Sequence, residues 1–349
     1  MSESEATARG EEWRDAKISS KRWKRRPEGS NWGEFGDDDE IGRLNLITPA
    51  KVREAAAEVK EGLAFCLSLP LTVPGGSGSR MGPKLFATGD HDHPRMNARM
   101  ADSYPGAVDV ICDDAVTMAL QCSTQWDGLC HAGAFFDADD DGEAEMIYYN
   151  GWRAGVDVHN HGEGGAERLG IEKMAATCIQ TRGVMIDFRH HFGPGRRAVS
   201  YDDMMHVLEV DSIELTPGDI ICLHTGYSHT LIEMNGNYDR SVLRTLGAEL
   251  DGLDQKLLQW ITDSGIAAIA ADTVAVETFR RIPDGEQRVL MPLHDHCLFK
   301  LGLPLAEYWW LSPLAFALRE RNRHAFMLTA PPLRLPGAVG SPVTPVGTI

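Results

Sequence analysis

Twelve residues, Leu120 to His131 (Leu-Gln-Cys-Ser-Thr-Gln-Trp-Asp-Gly-Leu-Cys-His), carry two amides, a carboxylate, hydroxyls and an imidazole. Such a set can hold a divalent cation and move a proton beside it. Asp127 is the strongest single ligand candidate, because it alone brings a charged oxygen. Strand-like alternation puts Gln121, Ser123, Gln125 and Asp127 on one face, so Gln125 and Asp127 can point at one centre. A glutamine oxygen can ligate, but it is neutral and a poorer donor to zinc than imidazole. Val116 to Leu120 reads as a short strand. Gln121 to His131 then reads as the loop leaving its end, where binding groups tend to sit on a rigid scaffold. A polar edge strand would carry the same residues.

Two His-x-His pairs, His91-Asp-His93 and His159-Asn-His161, could chelate from one strand face, but both stand in Gly- or Pro-containing stretches that read as loops. Asp137-Ala-Asp-Asp-Asp-Gly142 mimics the opening of an EF-hand loop. Tyr148 occupies the twelfth position where that loop needs Glu, so the stretch reads as an acidic surface turn. The seven cysteines are odd in number and include no Cys-x-x-Cys, which reads as reduced, buried thiols. Soft metal ligation by Cys122 or Cys130 is the alternative.

The central stretch resembles the signature His-x-Gly-Thr-His-x-Asp-x-Pro-x-His of the metal-dependent cyclase family, which includes the bacterial kynurenine formamidases and isatin hydrolase. The signature falls on Gln121, Ser123, Thr124, Gln125, Asp127, Leu129 and His131. Thr124, Asp127 and His131 are kept; glutamines replace both early histidines, and Ser123 and Leu129 replace Gly and Pro. Further similarity runs in order through Asn31-Trp-Gly33, Gly42-x-Leu-Asn-Leu-Ile-Thr-Pro49, Arg182-Gly-Val184, Gly218-Asp-Ile220, Thr225-Gly226 and Gly340-Ser-Pro-Val343. These resemble the long branch of that family, in which Gln-Trp-Asp is a known variant, and cover roughly residues 30 to 349.

The resemblance implies an α/β fold, a single domain with a mixed, barrel-like sheet flanked by helices. It implies a divalent metal ion, zinc or manganese, held by Gln121, Gln125, Asp127, His294 and Glu307, with His296 as fallback for His294. The two glutamines tilt this toward weaker binding or toward manganese. By themselves His294 and Glu307 could equally be a capping or core histidine and a helix-start carboxylate. The resemblance assigns proton transfer to His131, which an imidazole suits. Thr124 would hydrogen-bond a ligand carboxylate or the bound water. The implied activity is hydrolysis of a small amide, aryl formamide, cyclic imide, lactam or lactone. A ring-closing or dehydrating enzyme, or a non-catalytic small-molecule binder, are the other readings. Residues 89–94 would belong to a lid, and the assembly would be a homodimer or larger.

Composition bounds the partners. The 349 residues are 43 % hydrophobic, and 34 basic against 51 acidic residues leave a net charge of −17. That surface disfavours nucleic acid and anionic membranes and leaves a small molecule as the expected partner. No apolar run reaches the ~18 residues of a membrane span. The charged N-terminus lacks the apolar core of a signal peptide, so a cytoplasmic location is expected.

The positioning elements read as follows. Residues 1–30 form a polar, flexible arm with Trp13 and Trp23 as docking points, ahead of one domain over 31–349. Thr48-Pro49 starts a helix running to Lys60 or Glu61. Phe65 to Leu71 reads as a strand and 74–82 as a loop. Strands over 184–188, 219–224, 266–270 and 325–329 alternate with helices over 201–210 and 254–264 and one starting at Ser312. Trp126, Phe135, Phe136, Trp309 and Trp310 could line a pocket or be core.

Overall fold

The computed structural model of the chain describes residues 22–77 and 79–349. Its main sheet has nine strands: β1 (Ala64–Cys66), β2 (Gln125–Asp127), β3 (Gln180–Ile186), β4 (Ile220–Leu223), β5 (Ala268–Ala271), β6 (Leu305–Glu307), β7 (Ala325–Thr329), β8 (Gly340–Pro342) and β9 (Val346–Thr348). Their spatial order is β1-β9-β7-β3-β4-β5-β6-β2-β8. The run from β3 to β6 is parallel, and every other pairing is antiparallel. Ile220–Leu223 and Ala268–Ala271 are buried at every residue, which suits parallel strands covered on both faces. Beyond β1, Ser68 bridges Trp309, and Trp310 N donates to Leu67 O at 2.8 Å. The chain leaving β1 thus meets the chain leaving β6, and the sheet curls into a half-barrel.

Helices α1 (Pro49–Ala56), α2 (Tyr201–Val210), α3 (Tyr227–Met234), α4 (Gln255–Ser264) and α5 (Ser312–Glu320) flank this sheet. Their ends follow the sequence. Thr48 caps α1 by accepting from Lys51 N, with Pro49 in the first turn. Ser200 and Asp203 form a capping box on α2. Asp254 caps α4, and Gly265 closes it in the left-handed conformation. Helix α1 stops before the expected Lys60. Helix α1 is tied to the sheet by Asp219, fully buried, which meets Lys51 Nζ at 2.9 Å and Arg182 Nη2 at 2.6 Å.

Two expectations change. Gln125–Asp127 is an interior strand, not loop; a three-residue strand between Ser-Thr and Gly is too short to show a period. Within the expected 74–82 loop, Gly76–Ser77 pairs antiparallel with Arg80–Met81, and β1 is shorter than 65–71. Residues 1–21 of the expected arm, with Trp13, lie outside the described residues. From Arg22 the chain packs on the domain: Trp23 is buried with its ring edge-on to Trp32 at 5.6 Å, and Lys24 N donates to Ala138 O. Among the described residues no helix is long and apolar enough to cross a membrane.

Candidate metal centre

Strand register builds the site. On β2, Gln125 lies opposite Glu307 of β6, and Asp127 lies opposite Leu305 on one side and Gly340 of β8 on the other. Gln125, Asp127 and Glu307 therefore share one face as direct and diagonal neighbours. The intervening Trp126 turns to the other face, packs edge-on to Trp309 at 5.3 Å, and donates Nε1–H to Ala330 O. His294 arrives from a short helical turn, Pro292–His294, that runs into a π-helical turn over Asp295–Lys300. Ligand atoms of Asp127, His294 and Glu307 all lie within 4.8 Å of one another, and all three residues are buried. His131 Nε2 stands 3.7 Å from Asp127 Oδ1. A cavity of about 340 Å³ opens over them, walled by Arg80, Gln121, His131, His294, Glu307 and Tyr308.

The donor set fits a divalent cation. Two carboxylates are withdrawn from water here, which is costly without a compensating charge. Asp127 Oδ2 is buried with no hydrogen-bond partner among the described residues. Arg80 Nη1 approaches Glu307 Oε2 only to 4.0 Å. Burial first, and then the charge of Asp127, push the Glu307 carboxyl well above its usual range. For His294, burial alone would lower the pKa. Hydrogen bonds to Glu277 and Glu307 and the charge of Asp127 outweigh it and hold the imidazole pKa up. Glu277 accepts from His294 Nδ1 at 2.6 Å, so Nε2 faces Glu307 Oε1 at 3.7 Å. A carboxylate behind the imidazole, with the other nitrogen aimed inward, is the usual support of a histidine ligand.

The Cyclase family profile matches residues 65–278. The chain belongs to the Cyclase family. A crystal structure of a novel cyclase is similar with a TM-score of 0.73 and 30 % identity, over 92 % of this chain and 100 % of that one. Isatin hydrolase A from Ralstonia solanacearum has a TM-score of 0.53 at 13 % identity, over 86 % of this chain and 97 % of that one. Isatin hydrolase A from Labrenzia aggregata, bound to benzyl benzoate, has a TM-score of 0.51 at 14 % identity, over 84 % of this chain and 94 % of that one. These two share the fold. No curated protein matches the chain.

The structure brings Asp127, His294, Glu307 and His131 together. Gln125 Nε2 donates to Asp127 Oδ1 at 3.1 Å and Glu307 Oε2 at 2.9 Å, while its Oε1 is buried without a partner among the described residues. Between two acceptor carboxylates an amide presents its hydrogens, so in this structure Gln125 bridges Asp127 and Glu307. Gln121 lies at the cavity wall against Gly340, where a Cβ would fall 2.5 Å from its Nε2. Thr124 does not reach the centre. Its hydroxyl donates to Tyr308 O at 2.6 Å and accepts from Leu69 N at 2.9 Å, tying strand ends together. His296 bonds Thr262 Oγ1 in the core, and burial drops its pKa to about 4. Cys130 is buried with its Sγ 3.3 Å from Leu169 O, and Cys66, Cys112 and Cys178 are exposed, contrary to the expectation of buried thiols throughout. Arg80 lines the cavity, whereas the turn at His91 and His93 is exposed. Sequence reasoning missed Glu277 and Arg80, since neither stands in a motif.

Proposed function

We propose that this cyclase-family protein is a metal-dependent hydrolase of a small cyclic amide, imide or lactone, or an aryl formamide. The observation that carries the reading is the convergence of Asp127, His294 and Glu307 with an unpartnered Asp127 oxygen beneath His131. Asp127, His294 and Glu307 would hold the cation. Bound there, a divalent ion polarises a carbonyl oxygen and makes water a stronger acid. One imidazole and two carboxylates form an oxygen-rich set, which favours manganese over zinc. His131, in the cavity wall, takes the proton of the attacking water and returns it to the leaving nitrogen or oxygen. Gln125 keeps both carboxylates in place through its two N–H bonds. The occurrence of isatin hydrolases on this fold supports the choice of reaction. A homodimeric or larger assembly and a cytoplasmic location belong to the same proposal.

Elemental analysis of the purified protein and a screen of cyclic amides, formanilides and lactones in oxygen-18 water test it. Label in the product is expected, and its absence favours ring closure or dehydration. Asp127→Ala and His131→Ala should each abolish turnover while circular dichroism is unchanged. Full activity in both sinks the assignment.

A further inference from the structure

A second and larger cavity, about 580 Å³, adjoins the metal centre. Val274, Phe279 and Tyr308 form part of both walls. Tyr308 directly follows Glu307 and has φ 57°, a conformation rare for a ring-bearing residue. The chain thus turns sharply after the ligand, and its next side chain stands at the seam between the two chambers.

The second chamber has a mixed lining. Tyr227 and Leu231 come from α3, and Tyr238, Leu243 and Leu246 from the segment after it. Among these apolar walls stand three guanidinium groups, Arg196, Arg240 and Arg244, against one carboxylate, Glu249. Arg196 is matched by Glu249 at 3.3 Å. Arg240 and Arg244 have no carboxylate within ion-pair distance among the described residues. A chain with a net charge of −17 repels anions over most of its surface, so two unmatched arginines at the rim of an apolar chamber reverse the field locally. Solvated surface arginines are the plain alternative. What sets these two apart from the other unpaired cations is their place: both line the chamber that shares Val274, Phe279 and Tyr308 with the metal-centre cavity. Guanidinium is also weakly hydrated and pairs with carboxylates through two parallel N–H bonds.

We propose that this chamber selects elongated, amphipathic substrates with a carboxylate at the end remote from the reacting carbonyl. The carbonyl lies at the metal centre, the apolar body runs past Tyr308 along Tyr227 and Leu231, and the carboxylate meets Arg240 and Arg244. Which end reacts rests on the hydrolase reading; the recognition of the anion does not.

The test therefore reads binding and no turnover. Full-length protein is titrated calorimetrically with 4-phenylbutyrate and with 4-phenylbutanol, as wild type, as Arg240→Gln/Arg244→Gln, and as Asp127→Ala. Wild type and Asp127→Ala should bind the carboxylate about tenfold or more tightly than the alcohol. The double variant should lose that preference, with the alcohol's affinity as internal reference, and Arg240→Lys/Arg244→Lys should keep part of it. Equal binding of both probes by wild type, or binding of neither, overturns the proposal. So does a preference that survives in the double variant, or one that disappears in Asp127→Ala, which would put the carboxylate on the ion. Loss of hydrolysis in Asp127→Ala bears on the proposed reaction alone.

Discussion

Glu277 accepts Nδ1–H of His294 at 2.6 Å, and the same carboxylate takes the backbone N–H groups of Leu293 and His294, each at 3.0 Å. One side chain thus satisfies the start of the short helix and fixes the imidazole tautomer.

Glu277→Gln should weaken metal binding by roughly 10–100-fold, because the ligand loses basicity and orientation together. Competition against a metal-indicator dye measures this. An unchanged affinity would remove Glu277 from the site.

Metal uptake should also release protons. His294 and Glu307 both hold their protons to higher pH than usual in the metal-free protein, and ligation requires both to be deprotonated. Apparent affinity should therefore rise with pH through neutrality and fall in acid. Calorimetric titrations in buffers of different ionisation enthalpy count the protons. A pH-independent affinity contradicts the expected ligand set.

Thr124→Val should cost about 1–3 kcal/mol of stability, since Leu69 N–H and Tyr308 C=O lose a buried partner. Urea denaturation gives the value. Metal affinity should change far less than in Glu277→Gln, which separates a structural threonine from one that serves the ion.

Asp219→Ala should be more damaging, about 3–5 kcal/mol, because Lys51 and Arg182 keep their charges without the buried carboxylate between them. The same denaturation experiment measures it. A loss below about 1 kcal/mol would mean that water or Glu54, which also contacts Lys51, replaces the carboxylate.

Much of the architecture is legible in the chain because its signals are local. Ser200 and Asp203, or Asp254 and Gly265, mark helix ends by their own chemistry. Asp127 and His131 stand out because carboxylate and imidazole are close in sequence. The part Gln125 plays is not legible because residue type alone does not say which end of an amide faces a centre; here its N–H groups meet the carboxylates of Asp127 and Glu307. Thr124 misled because its partners, Leu69 and Tyr308, are brought to it only by the curl of the sheet. Glu277 was hidden for the same reason: a carboxylate 17 residues before its histidine has no spacing to advertise it.

The edge-on stacking of Trp126 on Trp309 reaches beyond the core it fills. A slip of β2 by one residue would carry that indole into the cavity and turn Asp127 inward among apolar side chains. Two large rings that never touch the ion thus act as the lock on alignment, and a smaller residue at either place would leave the ligand set intact in composition but free to go out of step.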